Sequence, residues 1–334
     1  MKNASRLRAL ITGAAGFAGT HLAEFLLADR ALEVWGTYHR SPVPALPSLA
    51  GLQSVPCDTS DPERVRALLA EVRPNWIFHL AGQSDVGGSW ESAWSTFELN
   101  VRGQLNILQT MVELDLDARV LVIGSNNEYG LVKPDDLPLD ERTPLRPDTP
   151  YGVSKVAQDL LGLQFYLSHR LRTVRVRCFN YIGPRQGDHF VTAAFARQIA
   201  EIEAGLSEPV LRVGNLSSQR DFTDVRDVVR ALRLALERCA DGEVYNIGSG
   251  RSVMIQRLLD ILLSYARCPI QVEPDPARLR PSDVPRSVAD IRKFTRATGR
   301  QPRISIEQSL RDILEYWRQT VSQPSGVQLA GHTH

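Results

Sequence analysis

Through the first half of the chain, short apolar runs alternate with stretches whose apolar residues recur every three or four positions. "RALIT" leads into "TGAAGFAGTHLAEFLLA", and "EVWGTY", "DPERVRALLAEV", "WIFHLAG", "STFELNVRGQLNILQTMVEL", "RVLVIGS", "YGVSKVAQDLLGLQFYLSHR" and "RTVRVRCFN" follow. Apolar strands interleaved with amphipathic helices predict a parallel sheet covered on both faces, that is, a doubly wound α/β domain. After "FNYIGPR" the pattern loosens into a mixture that includes "FVTAAFARQIAEIEAG", "EVYNIGSG", "IQRLLDILLSYA" and "SIEQSLRDILEYWRQ". The expected division is a first domain over residues 1–180 and a smaller α+β lobe over 181–322. Segments such as 221–248 are candidates to return to the first domain, and 323–334 is read as a frayed tail.

Composition narrows the function without naming it. Lys+Arg of 39 against Asp+Glu of 38 in 334 residues leaves a net charge of +1, with no basic or acidic tract. Nucleic acid and membrane surfaces are therefore poor partners, and a small-molecule ligand is the better expectation. Cys57, Cys178, Cys239 and Cys268 have neither disulfide-scaffold nor metal spacing. A reduced, cytoplasmic protein is expected. Lys2, Arg6 and Arg8 before an apolar stretch imitate a leader peptide, but the glycines and the amphipathic "THLAEFLLA" read better as strand, turn and helix.

"TGAAGFAG" sets Gly13, Gly16 and Gly19, with Phe17 and Ala18 between them, at the first strand-to-helix junction. Glycines there permit a tight turn and close backbone approach to a pyrophosphate, whose charge rests on the helix N-terminus. The second predicted strand ends in "TYHR". A carboxylate at that point would favour a ribose 2′-hydroxyl, whereas Arg40 pairs with a 2′-phosphate, so NADP(H) is expected ahead of NAD(H). A solvated surface arginine is the alternative. Asp58 ends another extended run and could accept from an adenine amine; Ser60 or Asp61 beside it could cap the next helix. Leu80, Ala81 and Gly82 close the following strand beside the same crevice, and Gln83 and Ser84 come next as substrate contacts. Asp85, Ser89 and Trp90 could line that wall, with core or dimer packing the preferred reading for Trp90.

"YGVSK" puts Tyr151 and Lys155 one helical turn apart, on one face. A phenol of pKa about 10 is a feeble acid at neutral pH. A neighbouring ammonium is expected to lower that value and make Tyr151 a usable proton donor.

The glycine turn, Ser125 and Tyr151-x-x-x-Lys155, in this order, resemble the extended short-chain dehydrogenase/reductases that act on nucleotide sugars. "HLAGQSDVGGSW", "FNYIGPRQ", "VGNLSSQRDFTDVRDVVRA" and "RLRPSDVP" are most similar to the GDP-mannose 4,6-dehydratases and the related GDP-6-deoxy-D-mannose reductases, a likeness running to about residue 318. The resemblance implies a Rossmann domain in which Ser125 hydrogen-bonds a 4-keto oxygen. It implies that Tyr151 protonates that oxygen and that Lys155 binds the nicotinamide ribose. It also implies Asn180, Arg185, Arg220 and Arg280 around a GDP-sugar. Structural alternatives are a turn role for Asn180 before Gly183-Pro184, and surface ion pairs for Arg220 and Arg280, with Asp221 beside Arg220.

Dehydrating relatives of this kind carry a glutamate two residues after the serine, as the base that removes the proton from carbon 5. Here that position is Asn127, and a neutral amide cannot accept the proton. Asn126 and Asn127 are read as amides that hydrogen-bond the substrate. Glu128 is expected either to touch a sugar hydroxyl or to remain solvated. Reduction of a 4-keto group by NADPH remains. A 4,6-dehydratase or 4-epimerase is the alternative within the class, and a non-catalytic nucleotide-sugar-binding protein the alternative outside it. The helices "NVRGQLNILQTMVEL" and "VAQDLLGLQFYLSH" are apolar beyond one stripe, which suits a homodimer, with a homotetramer as alternative.

Overall fold

The computed structural model describes residues 6–44, 46–278 and 284–322. In chain order the first half runs β1 (Leu7–Thr12), α1 (Phe17–Leu27), β2 (Leu32–Tyr38), β3 (Gln53–Pro56), α2 (Pro62–Val72) and β4 (Trp76–His79). It continues α3 (Gly88–Glu91), α4 (Ala93–Phe97), α5 (Gly103–Glu113), β5 (Arg119–Ser125), α6 (Pro150–His169), β6 (Arg172–Cys178) and β7 (Asn180–Ile182). The second half runs α7 (Val191–Glu203), β8 (Val210–Val213), β9 (Gln219–Asp224), α8 (Val225–Arg238), β10 (Val244–Ile247) and β11 (Ser252–Met254). α9 (Ile255–Ser264), β12 (Gln271–Pro274), α10 (Arg292–Thr298) and α11 (Ile306–Ser322) complete it.

The large sheet has the order β10-β6-β5-β4-β1-β2-β3, every pair parallel. Chain order grows outward in one direction from β1 through β3 and in the other from β4 through β10. The strand direction of growth therefore reverses between β1 and β4, and a crevice opens there at the carboxyl ends of the strands. Ala9, Ile11 and Phe78 face the layer of α1 and α8, while Leu10, Ile77 and Val120 face α2, α5 and α6. Strands buried on both faces explain why their sequences read as unbroken apolar runs.

Helix boundaries follow local chemistry. Asp61 caps α2 by accepting from the Glu63 and Arg64 amides, and Pro62 occupies its first turn. Thr149 does the same for α6 at the Gly152 amide, with Pro150 following it. Arg73 and Arg170 end those two helices in the left-handed conformation.

The smaller lobe packs α7, α9 and α11 around a core that includes Ile199, Leu258, Leu262 and Leu314. It adds a three-stranded sheet, β11-β9-β7, and the pair β12-β8. The chain then crosses back. Val228, Val229, Leu232 and Leu236 of α8 bury with α1, and β10 adds to the large sheet beside β6. The large layer is thus built from two separated stretches of chain, and the crevice lies where the two lobes meet it. The tail from residue 323 lies outside the described residues.

Candidate active site

Gly13 turns the chain at φ +71, and Gly16 begins α1 with no side-chain cap. A Cβ on Gly13 would stand 2.9 Å from the Ala81 backbone, and one on Gly19 would overlap the Gly13 carbonyl oxygen. Only glycine allows β1, β4 and α1 to close together there, which leaves the helix N-terminal amides facing the crevice for an anion. The residues therefore fit a dinucleotide diphosphate. Gly13, Gly16, Phe17, Ala18 and Gly19 line one continuous cleft of about 720 Å³, as do Leu80 and Gly82. Ala81 sits behind them, its amide donating to Thr12 Oγ1. Arg40 is exposed where β2 ends. Asp58 follows β3, its Oδ2 3.4 Å from His39 Nε2 and its Oδ1 accepting from the Ser60 amide and hydroxyl.

Farther along the same cleft lie Gln83, Ser84, Asp85, Asn126, Asn127, Asn180 and Arg220. Asn100, on a π-turn over Glu98–Arg102, fixes the Gln83 loop by accepting from the Gln83 amide and donating to its carbonyl, while its Nδ2 also donates to Ser154 Oγ. Asp221 directs its carboxylate to Ser249 and to the amides of Gly250 and Ala289. Trp90 is 54% exposed and stands in the cleft wall, which corrects the core part of the expected core or dimer packing. Ser89 does not line the wall. It is buried, and its hydroxyl accepts from the Tyr151 amide at 3.2 Å, holding the start of α6. Arg280 lies outside the described residues.

Ser125, Tyr151 and Lys155 converge where β5 ends. Ser125 Oγ accepts from the Asn127 amide at 3.2 Å and from Asn127 Nδ2 at 3.1 Å. A hydroxyl has two acceptor sites and one proton, so with both sites taken the proton is left to be donated. The Tyr151 hydroxyl stands beside it, and the Ser125 hydroxyl opposes the upward shift of that phenol. Asn127 thus orients the serine as a donor.

Lys155 Nζ lies 5.7 Å from the Tyr151 ring centre and donates to the Ile123 carbonyl at 3.0 Å and to Gln158 Oε1 at 2.8 Å. Burial pushes the Tyr151 phenol above its ordinary range, opposed by the Ser125 hydrogen bond and reinforced by the Glu128 charge. The expected net lowering of the phenol is therefore corrected: burial outweighs what lowers it. The ammonium is itself desolvated, its pKa pushed down to about 8 by burial against the attraction of Glu128. Tyr151 accordingly carries its proton at neutral pH.

Glu128 is neither solvated nor in the cleft. It is fully buried: Oε1 accepts from the Ser125 amide at 2.7 Å, and Oε2 pairs with Arg177 Nε at 2.9 Å. The segment after Ser125 is a 3-10 turn, Asn126–Glu128, closed as a capping box, so strand alternation does not apply to it. Arg177 also pairs with Asp159 at 2.6 Å, and Asp159 with Arg175 at 2.7 Å, a buried chain of alternating charge. Burial and the Asp159 carboxylate push Glu128 up, and Arg177 and the Ser125 amide pull it back. A Cβ on Gly124 would overlap Glu128 Oε1 and lie 2.9 Å from the Val176 carbonyl, so the glycine makes this folded-back geometry possible. Arg185 is corrected as well. It pairs bidentately with Glu24 and contacts His21 on α1, where it joins the lobes and does not face the cleft.

Comparison with known proteins agrees with this layout. Residues 10–313 match the family model described as GDP-mannose 4,6 dehydratase. The chain is 35% identical to a GDP-6-deoxy-D-mannose reductase of Pseudomonas aeruginosa, over 95% of this chain and 99% of the relative. It superposes with a TM-score of 0.83 and 34% identity on the structure of RMD from Pseudomonas aeruginosa complexed with NADPH, covering 94% of this chain and 99% of that one. A Thermus thermophilus UDP-glucose 4-epimerase in complex with NAD matches at a TM-score of 0.83 and 30% identity, over 93% of this chain and 99% of that one.

Removing one partner of a buried ion pair leaves an uncompensated charge. Glu128→Ala is expected to lower unfolding free energy by about 3–5 kcal/mol. Glu128→Gln, which can still accept from the Ser125 amide, is expected to lose less. Denaturant midpoints compared at equal slope check the order, and an unchanged midpoint for the alanine variant would remove the charge chain from this role.

Proposed function

The chain belongs to the GDP-mannose 4,6 dehydratase family, and on that premise we propose that it reduces the 4-keto group of a GDP-4-keto-6-deoxy sugar with NADPH, giving GDP-6-deoxy-D-mannose or a close analogue. The carrying observation is the chemistry at the end of β5. Two hydroxyls with available protons, those of Ser125 and Tyr151, meet there, while the one carboxylate of the turn is withdrawn beneath the strand. Elimination of water needs a base at position 127, where Asn127 instead donates to Ser125.

Gly13, Gly16, Gly19, Leu80 and Gly82 would hold the cofactor, with Arg40 beside its 2′-phosphate and Lys155 at the nicotinamide ribose. NADPH, when bound, supplies the hydride. The chain's own part is to orient the ketone and to furnish the proton. Ser125 Oγ–H donates to the 4-keto oxygen, and Tyr151 Oη–H passes its proton to that oxygen as negative charge develops on it. The C=O thus gains one hydride at carbon and one proton at oxygen and becomes CH–OH. Lys155 supplies a fixed positive charge behind the tyrosine, which stabilises the phenolate left by proton transfer. Asn180 and Arg220 reach into the cleft at the small-lobe end, where a diphosphate fits their donors. Gln83, Ser84 and Asn126 are assigned to the sugar.

Val153, Leu160 and Leu167 form an exposed stripe on the outer face of α6, at seven-residue spacing, and α5 adds exposed Val112. A second copy of the chain is the partner we assign to these faces, giving a homodimer, with pairing of dimers as the alternative. Among the described residues no helix is long and apolar enough to cross a membrane. A reducing cytoplasmic location fits four free cysteines, three of them buried.

Loss of nicotinamide absorbance with GDP-4-keto-6-deoxy-mannose is expected at one NADPH per ketone, and a 4-epimerase or dehydratase would show no such loss. Tyr151→Phe is expected to lower kcat by about 10²–10⁴-fold; unchanged turnover would take the acid role from Tyr151. Because Lys155 is charged below its pKa of about 8 and neutral above it, kcat/KM is expected to hold at lower pH and fall as pH rises through about 8. Arg40→Ala is expected to raise the KM for NADPH roughly 10- to 100-fold, the loss of one charge-assisted contact, with the KM for NADH nearly unmoved.

A further inference from the structure

Two glutamines lie behind the catalytic lysine where no solvent reaches them. Gln104, in the first turn of α5, and Gln158, three residues after Lys155 on α6, are each 1% exposed. A buried carboxamide has donors at one end and an acceptor at the other, and leaving either unmatched is costly, so its neighbours dictate which way it faces.

Here one backbone carbonyl decides the whole arrangement. Gln104 Nε2 donates to the Gln158 carbonyl at 2.7 Å, and a carbonyl can only accept. Gln104 Oε1 must therefore face away, where it accepts from Gln158 Nε2 at 3.0 Å. That turns Gln158 Oε1 toward Lys155, whose Nζ donates to it at 2.8 Å. Reversing either amide would set donor against donor or acceptor against acceptor at each of these contacts. The Ile123 carbonyl takes a second N–H of Lys155, which leaves the third for the cleft that Lys155 lines.

We propose that Gln158, oriented by Gln104, is a positioning residue that fixes Lys155 at the cleft with one N–H free and favours its charged form. This rests on the reading that the Lys155 ammonium serves the reduction. The other groups that face Lys155 are Glu128 from the turn after β5, Cys178 from β6, His79 from β4, and Tyr151 on its own helix. Glu128 favours the ammonium, whereas His79 is kept neutral by burial, its pKa pushed down to about 3, and Cys178 is pushed up to about 12 by burial. Removing the Gln158 acceptor leaves burial opposed by fewer partners.

The chain has four lysines, Lys2, Lys133, Lys155 and Lys293, so the side-chain carbon signals of ¹³C-lysine-labelled protein can be assigned by difference with Lys155→Arg. Titration without cofactor reads the Lys155 pKa directly, independently of turnover. Gln158→Leu is expected to lower it by about one unit, a tenfold change in the charged-to-neutral ratio. Gln158→Glu, which keeps an acceptor and adds charge, is expected to raise it, and Gln104→Leu to lower it by less than Gln158→Leu. The alkaline limb of kcat/KM should move with these values. A Lys155 pKa unmoved in both Gln158 variants overturns the proposal, and a purely structural role would lower the melting temperature while leaving that pKa in place. If the pKa moves as expected while the wild type consumes no NADPH with the ketone, the positioning stands and the reading of the reaction fails.

Discussion

The site depends on an interlocked row of buried charges beneath it. Glu128, Arg177, Asp159 and Arg175 join the turn after β5, the strand β6 and the helix α6. These three pieces carry Ser125, the sheet beside it, and the pair Tyr151 and Lys155. Desolvation makes such a row a weak contributor to net stability, but any arrangement that separates its members strands a charge. Its value is specificity of geometry: Ser125 cannot drift from Tyr151 without pulling Glu128 from Arg177.

That geometry separates two protonation problems. Tyr151 is buried enough to keep its proton, and Ser125 is saturated with donors, so both keep a hydrogen to donate. The only carboxylate in the turn is used inward. Chemistry that adds a proton is thus favoured over chemistry that removes one, through the placement of uncharged groups and with no unusual residue type.

Much of this was legible along the chain. Apolar runs and helical periodicity located the parallel sheet, and the glycine turn and the Tyr-Lys pair were visible because their partners lie within one turn or one junction. Glu128 is expected at a sugar hydroxyl or in solvent, yet Ser125-Asn-Asn-Glu128 carries the serine and glutamate spacing of the capping box that turns it inward. Arg185 was misread because its partner Glu24 is 161 residues away, a pairing that only the fold reveals. The raised phenol of Tyr151 likewise reflects burial, which spacing does not measure. Gln104 and Gln158 left a faint signal, as polar residues at helix positions that the periodicity assigns to the interior.

α6 carries unrelated demands on its different sides. Tyr151, Lys155, Gln158 and Asp159 look toward the cleft and the charge row, Gly162 lets the helix approach Val122 and Arg175, and Val153, Leu160 and Leu167 look outward. Each inserted or deleted residue turns all that follows by about 100°. An insertion between Tyr151 and Lys155 would carry the lysine out of its place and roll the outward apolar stripe inward at the same time. The length of this helix between residues 151 and 162 is therefore held fixed by its register.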